Sequence, residues 1–131
     1  VKTNANEAMQ AGQSARRERA SAILGTLSGL EAELRGAAIF GPGDETLACT
    51  VDDPDWASTA SELLSALRDS GEALEGDTAL DSSHVATDDA EVFVVTEGEF
   101  SLVAVTARFV LASLASFDMR MSLRDLAAAD A

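Results

Sequence analysis

Between Ser14 and Arg35 the apolar residues recur at three- and four-residue steps. Ile23, Leu24, Leu27, Leu30 and Leu34 share one face, which predicts an amphipathic helix. Gly25 and Gly29 fall inside it, each costing about 1 kcal/mol of helix propensity relative to Ala. They read as exposed positions or as points of close packing against a sheet. Gly36 follows the last periodic residue, where a C-terminal cap belongs. The period then changes. Two short apolar runs, Ala37–Phe40 and Glu45–Val51, flank Gly41-Pro42-Gly43-Asp44 and predict a β-hairpin. In the second run Leu47, Cys49 and Val51 alternate with Thr46, Ala48 and Thr50.

Asp52-Asp53-Pro54-Asp55-Trp56 opens a second helix. Asp53 suits the N-cap, Pro54 the first helical position, and Asp55 the positive end of the helix dipole. The pattern continues to about Leu74, with Trp56, Ala60, Leu63, Leu64, Leu67 and Leu74 inward, and Glu62, Arg68, Asp69 and Glu72 outward. Gly71 and Gly76 are its candidate ends. From Ala79 the chain reads as strands again. Leu80–Thr87 is polar and weakly alternating, an edge strand, and Ala90–Thr96 holds the β-branched run around Val92 and Val94. Glu97-Gly98 makes a hairpin turn into Glu99–Thr106. That last strand has Phe100, Leu102, Ala104 and Thr106 on one face and Ser101, Val103 and Val105 on the other. A sheet apolar on both faces calls for cover on both sides. A final helix is predicted from Ala107 or Arg108 to Ala127, with Val110, Leu114, Phe117 and Met121 in one stripe and Leu111, Leu123 and Leu126 beside it. The predicted order is α-β-β-α-β-β-β-α: an α/β (α+β) domain with five short antiparallel strands. Residues 14–131 form this single domain. Residues 1–13, polar and Ala-rich without the apolar run of a signal peptide, read as a flexible lead-in.

Charge narrows the functional classes. The 131 residues hold 23 acids against 9 bases, a formal net charge of −14, with 47% hydrophobic residues but only 5% aromatic. The core must therefore be aliphatic. Phosphate-backbone binding needs clustered Lys and Arg, and Lys2 is the single lysine, so nucleic acid and anionic membrane are excluded as partners. No run of about 18 uninterrupted apolar residues predicts a membrane span, and a cytoplasmic location is the default. From Asp44 to Glu99 there are 16 acids and one base, Arg68, so this segment carries essentially the whole excess. That is the composition high-salt cytoplasms favour, pointing to a halophile; it also suits an anionic docking face.

Catalytic chemistry is sparse. The one histidine, His84, sits on the predicted edge strand with no nucleophile in its pattern. Cys49 stands alone, excluding an internal disulfide and a cysteine-rich zinc site, and reads as a small core residue rather than a reactive thiol. Asp52, Asp53 and Asp55 lack an EF-hand glutamate, and cap and turn chemistry account for them. The Gly-Pro-Gly turn lacks a following Lys-Ser/Thr pair and fails as a phosphate loop. Trp56 reads as a core anchor, with a binding role as its alternative. The chain is expected to act through surfaces, without enzymatic activity, metal or cofactor.

The amphipathic helix ending Leu30-Glu31-Ala32-Glu33-Leu34-Arg35, the following Gly36–Phe40, the Gly-Pro-Gly-Asp turn, Leu47-Ala48, the Trp56 helix and Leu102-Val103-Ala104-Val105 together resemble the Roadblock/dynein light chain family over Ala20–Ala127. The resemblance implies a profilin-like sandwich: a five-stranded antiparallel sheet with two helices on one face and the middle helix on the other. It implies a homodimer joined through middle helices and edge strands, which regulates a small Ras-like GTPase by repositioning the GTPase's own residues. The dimer contact is then expected at Trp56, Ala60, Leu63, Leu64 and Leu67, and on the strand at Leu80, Ser82, His84 and Ala86. The acidic Asp77–Asp89 stretch departs from the family's edge strand. Alternatives are a small-ligand sensory module of the PAS or GAF type and a structural scaffold subunit.

Overall fold

The computed structural model describes residues 2–76 and 79–130; Val1, Asp77, Thr78 and Ala131, which fall at the ends of the expected segments and within the acidic stretch, lie outside the described residues. The elements are α1 (Lys2–Leu30), β1 (Leu34–Phe40), β2 (Thr46–Cys49), α2 (Pro54–Glu75), β3 (Ser82–Ala86), β4 (Ala90–Glu97), β5 (Phe100–Ala107) and α3 (Ala112–Asp130). The five strands form one antiparallel sheet in the order β2-β1-β5-β4-β3. The expected element order and fold class are therefore those of the structure. β5 is central because it is apolar on both faces. It pairs Ala104 with Ala37 of β1 and with Phe93 of β4, and Val103 with Ala38 and Val94.

The sheet divides the core in two. On one face α1 and α3 cover Ile39, Phe93, Val95, Leu102 and Ala104 with Leu24, Leu27, Met119, Leu123 and Leu126, all of them buried. On the other, α2 lays Ala60 and Leu64 on Ala38, Phe40, Val94 and Val103. Burial of each large aliphatic side chain stabilises the fold by roughly 1.5–3 kcal/mol, and these two layers place α2 alone on its side of the sheet.

The start of α2 forms as its sequence predicts. Asp53 is the N-cap, its carboxylate accepting from the Asp55 N–H at 2.9 Å, and Pro54 fills the first turn. Gly71 lies inside the helix, and Gly76 ends it with φ +88°. Arg68, the one base of the acidic segment, reaches from α2 to the Asp44 carboxylate in the β1–β2 turn and to Ser101 Oγ on β5. That turn has left-handed Gly43 and Asp44, at φ +72° and +59°.

Three expectations give way at the element ends. First, α1 begins at Lys2, so the predicted lead-in carries helical backbone, and it ends at Leu30 instead of Arg35. Residues 31–33 form the connection, Leu34 pairs with Thr106, and Gly36 is a strand residue rather than a helix cap. Its missing side chain has a packing role. A Cβ there would stand 2.8 Å from Val51 Cγ2 and 2.9 Å from Trp56 Cζ2, so glycine lets the indole lie against β1. Gly25 and Gly29 face open space. Second, β3 is shorter than Leu80–Thr87. Third, Ala107 belongs to β5, and α3 starts at Ala112 after a connection in which Phe109 has φ +64°. Of the expected stripe on α3, Leu114, Phe117 and Met121 are exposed, while Ala115, Met119, Leu123 and Leu126 are buried in the core.

Candidate interaction surface

α2 does not cover its face of the sheet completely. Along its flank runs an open groove of about 270 Å³, lined by Trp56, Thr59, Ala60, Leu63, Val92, Val103 and Val105. A smaller recess of about 90 Å³ adjoins it, where Leu63, Leu67 and Val92 meet Ser83, Val85 and Val94. Leu63 and Val92 belong to both, so the two recesses form one apolar trough from the start of α2 to the edge strand β3. β3 is hydrogen-bonded to β4 alone and ends the sheet. An edge strand leaves a row of backbone donors and acceptors without a sheet partner.

The residues expected at an interface divide into three groups. Trp56, Leu63 and Leu67 are half-buried on the trough. Ala60 and Leu64 are buried beneath α2, where Leu64 is 0% exposed and fastens the helix to the sheet. Leu80 packs beside the same layer. Ser82, His84 and Ala86 pair with Val95, Phe93 and Glu91, which places them on the α1–α3 side of the sheet. The β3 residues that share the trough are their neighbours, Ser83 and Val85. An alternating strand sends successive side chains to opposite faces, and an isolated edge segment carries no pattern that tells which set faces α2.

On its own face His84 stacks on Phe93, ring centroids 4.5 Å apart, and its Nε2 lies 2.9 Å from Glu91 Oε1. Glu91 is buried and also accepts from the Val110 N–H at 3.0 Å. Burial pushes the Glu91 carboxyl up, but the hydrogen bonds from His84 and Val110, with the charges of His84 and Arg108, outweigh it and hold the group below the usual carboxylate range. Sequence reasoning missed this residue; an acid within an otherwise apolar, β-branched strand was the available signal. Among the described residues Glu31 is also perturbed, raised to about 7 by burial, then by the hydrogen bond and like charge of Asp118 on α3. Cys49 is half-buried against the α2 layer. Among the described residues, no three His, Cys, Asp or Glu side chains converge as a metal ion would require. No described helix is long and apolar enough to cross a membrane.

This arrangement, one helix over one face and two over the other of a β2-β1-β5-β4-β3 sheet, recurs in solved structures. A Roadblock/LC7 domain from Streptomyces avermitilis superposes with a TM-score of 0.66 at 20% identity, over 78% of this chain and 89% of that one. The gliding protein MglB from Thermus thermophilus gives 0.71 at 19% identity, over 86% and 89%. The chain has the Roadblock/LC7 fold. A further MglB, described in a tetrameric arrangement, matches with a TM-score of 0.68 at 16% identity, over 86% of this chain and 88% of that one. No family model matches the sequence, and no curated protein does. The apolar trough and the β3 edge are open surfaces on the α2 side of this fold.

Proposed function

We propose that this Roadblock-fold chain is a homodimeric, non-enzymatic cytoplasmic partner of a small Ras-like GTPase, with the dimer built on the trough and the β3 edge. One observation carries the reading: the trough between α2 and β3 is apolar and open, and it ends at a strand with a free backbone edge. A second copy related by a twofold axis would extend the sheet edge to edge and lay α2 beside α2, removing Trp56, Leu63, Leu67 and Val85 from water. An isologous contact of this kind needs only a self-complementary surface. The fold likeness to MglB, whose members include a tetrameric arrangement, supports assembly. The trough offers a ligand few polar side chains, the Thr59 and Ser83 hydroxyls and the Trp56 indole, where a small-molecule site calls for precisely placed polar groups.

The acidic segment bears on both halves of the proposal. Asp81, Asp88 and Asp89 lie around β3, so pairing two copies brings like charges together, and salt screens them. Sedimentation equilibrium is expected to give two copies per particle through this face, with dissociation weakening as salt rises. Leu63→Glu, placed in the trough, is expected to abolish that dimer while leaving the circular dichroism spectrum unchanged. A monomer at micromolar concentration in high salt refutes the dimer. For the partner, a purified GTP-loaded Ras-like GTPase is the probe. Absence of binding together with unchanged hydrolysis refutes the GTPase reading.

A further inference from the structure

The edge strand β3 is acidic at both ends, and the two ends are built differently. At its entry the Asp81 carboxylate meets the Arg120 guanidinium of α3 fork to fork, with Nη2 2.9 Å from Oδ2 and Nη1 3.3 Å from Oδ1. Arg120 also donates to Glu97 of β4 at 3.2 Å, and Arg124, one turn further along α3, donates to the same carboxylate at 3.2 Å. Two acids and two arginines thus form one cluster without net charge. The Asp81 carbonyl oxygen accepts from the Thr96 N–H at 2.9 Å, so the bridged residue is the one that leads the chain onto β4. At the exit of β3, Asp88 and Asp89 are exposed. Arg35 meets this end at the Asp89 carbonyl oxygen, 3.0 Å away, and neither carboxylate forms an ion pair among the described residues.

The Asp81 side chain is 76% exposed, and a bridge so open to water adds little to the stability of one copy. Its effect is larger where two copies meet. Acids along an edge strand oppose its pairing with another strand. Antiparallel pairing about a twofold axis at His84, the midpoint of Ser82–Ala86, sets Asp81 of each copy opposite Thr87 of the other, beside the other copy's Asp88 and Asp89. Three carboxylates then converge at each end of the paired strands, with Arg120 bonded to one of them. We propose that Arg120 is the positioning residue that allows the acidic β3 edges to pair. It neutralises Asp81 of its own copy and makes the entry of β3 a surface that accepts the acidic exit of a second copy. This role deepens the β3-edge dimer proposed above and rests on it. The arrangement occurs twice per dimer, so the loss of one guanidinium per chain is felt at both ends.

The test is the dimer dissociation constant of the full chain, measured by sedimentation equilibrium at two salt concentrations. Between about 0.1 M and about 1 M salt the screening length falls from about 10 Å to about 3 Å. Arg120→Gln leaves Glu97 its partner Arg124. It is expected to weaken the dimer about tenfold at the lower salt and much less at the higher, with unchanged circular dichroism. Arg120→Lys, which keeps the charge and loses the fork, is expected to stay within about threefold of wild type. Asp81→Asn is expected to pair at least as tightly as wild type and to flatten the salt dependence. Combined with Arg120→Gln, it is expected to recover most of what that substitution loses. A bridge that only shapes β3 gives the reverse: Asp81→Asn alone weakens pairing as much as Arg120→Gln, and the combination recovers nothing. That pattern overturns the proposal, as does a wild-type dimer indifferent to Arg120→Gln at low salt. A wild-type chain that is monomeric at both salts refutes the β3-edge dimer and this role together, which tells the two failures apart.

Discussion

Gly36→Ala adds one methyl group at the point where α2 meets β1, and its effect can be worked from the contacts. The new carbon would lie 2.8 Å from Val51 Cγ2, 2.9 Å from Trp56 Cζ2 and 3.3 Å from Trp56 Cε2. Carbon atoms pack best at about 3.5–4.0 Å, so the indole has to move by roughly half an ångström or more. Overpacking of this kind costs about 1–3 kcal/mol. Against it, replacing glycine lowers the entropy of the unfolded chain by about 0.4–1 kcal/mol in favour of folding. The net expectation is a loss of about 1–2 kcal/mol. With an unfolding entropy near 2 cal/mol/K per residue over 131 residues, that loss lowers Tm by about 4–7 °C. Trp56 is the only tryptophan, so its emission reports the displaced contact directly while circular dichroism follows the whole chain. Trp56→Phe removes atoms that the methyl group would strike. The two substitutions together should therefore cost less than their sum, by about 1 kcal/mol. A Tm equal to or above the wild type with unchanged emission refutes the reasoning, as does strict additivity.

Two pH-linked outcomes follow from the perturbed carboxyls. Glu31 is raised to about 7, so between the ordinary Glu value near 4.3 and about 7 the folded chain holds a proton that the unfolded chain has lost, and stability falls as pH rises through that window. Glu31→Gln, which keeps a donor toward Asp118, is expected to remove this fall and to raise Tm relative to wild type at pH 8 but not at pH 4; equal differences at both would refute it. Glu91 is lowered, so its contribution is present above the unfolded value and is lost as pH falls through the folded one. Glu91→Gln is expected to destabilise at pH 7 and to flatten the acid limb of the stability profile, measured by urea unfolding across pH 3–7.

The parts legible in the sequence are those whose signals are local. The start of α2 is readable because Asp53, Pro54 and Asp55 act within one turn, and the β4–β5 hairpin because Gly98, at φ +60°, sits between two β-branched runs. The end of α1 is not readable in this way. Glu31-Ala32-Glu33-Leu34-Arg35 suits a helix by propensity, yet Leu34 is taken by pairing with Thr106 across the sheet, and propensity yields to such pairing. Which side of α3 is buried is not legible either, because both of its sides carry apolar residues and the small Ala115, not the larger Leu114 or Phe117, is the one in the core. The candidate surface divides similarly. Trp56, Leu63 and Leu67 follow from the α2 stripe, while Ser83 and Val85 require the register of β3 on β4.

Residue order by itself determined the sequence of elements, the aliphatic core and an acid excess confined to Asp44–Glu99, because periodicity, capping and charge are properties of neighbours along the chain. Tertiary structure alone decided that α2 stands alone on its face beside an open trough and that His84 turns from that trough toward Glu91. It also decided that α3 keeps one apolar stripe in water. Each of these depends on which strand lies beside which and on how much room a packed layer leaves, and those distances arise only when segments far apart in sequence meet.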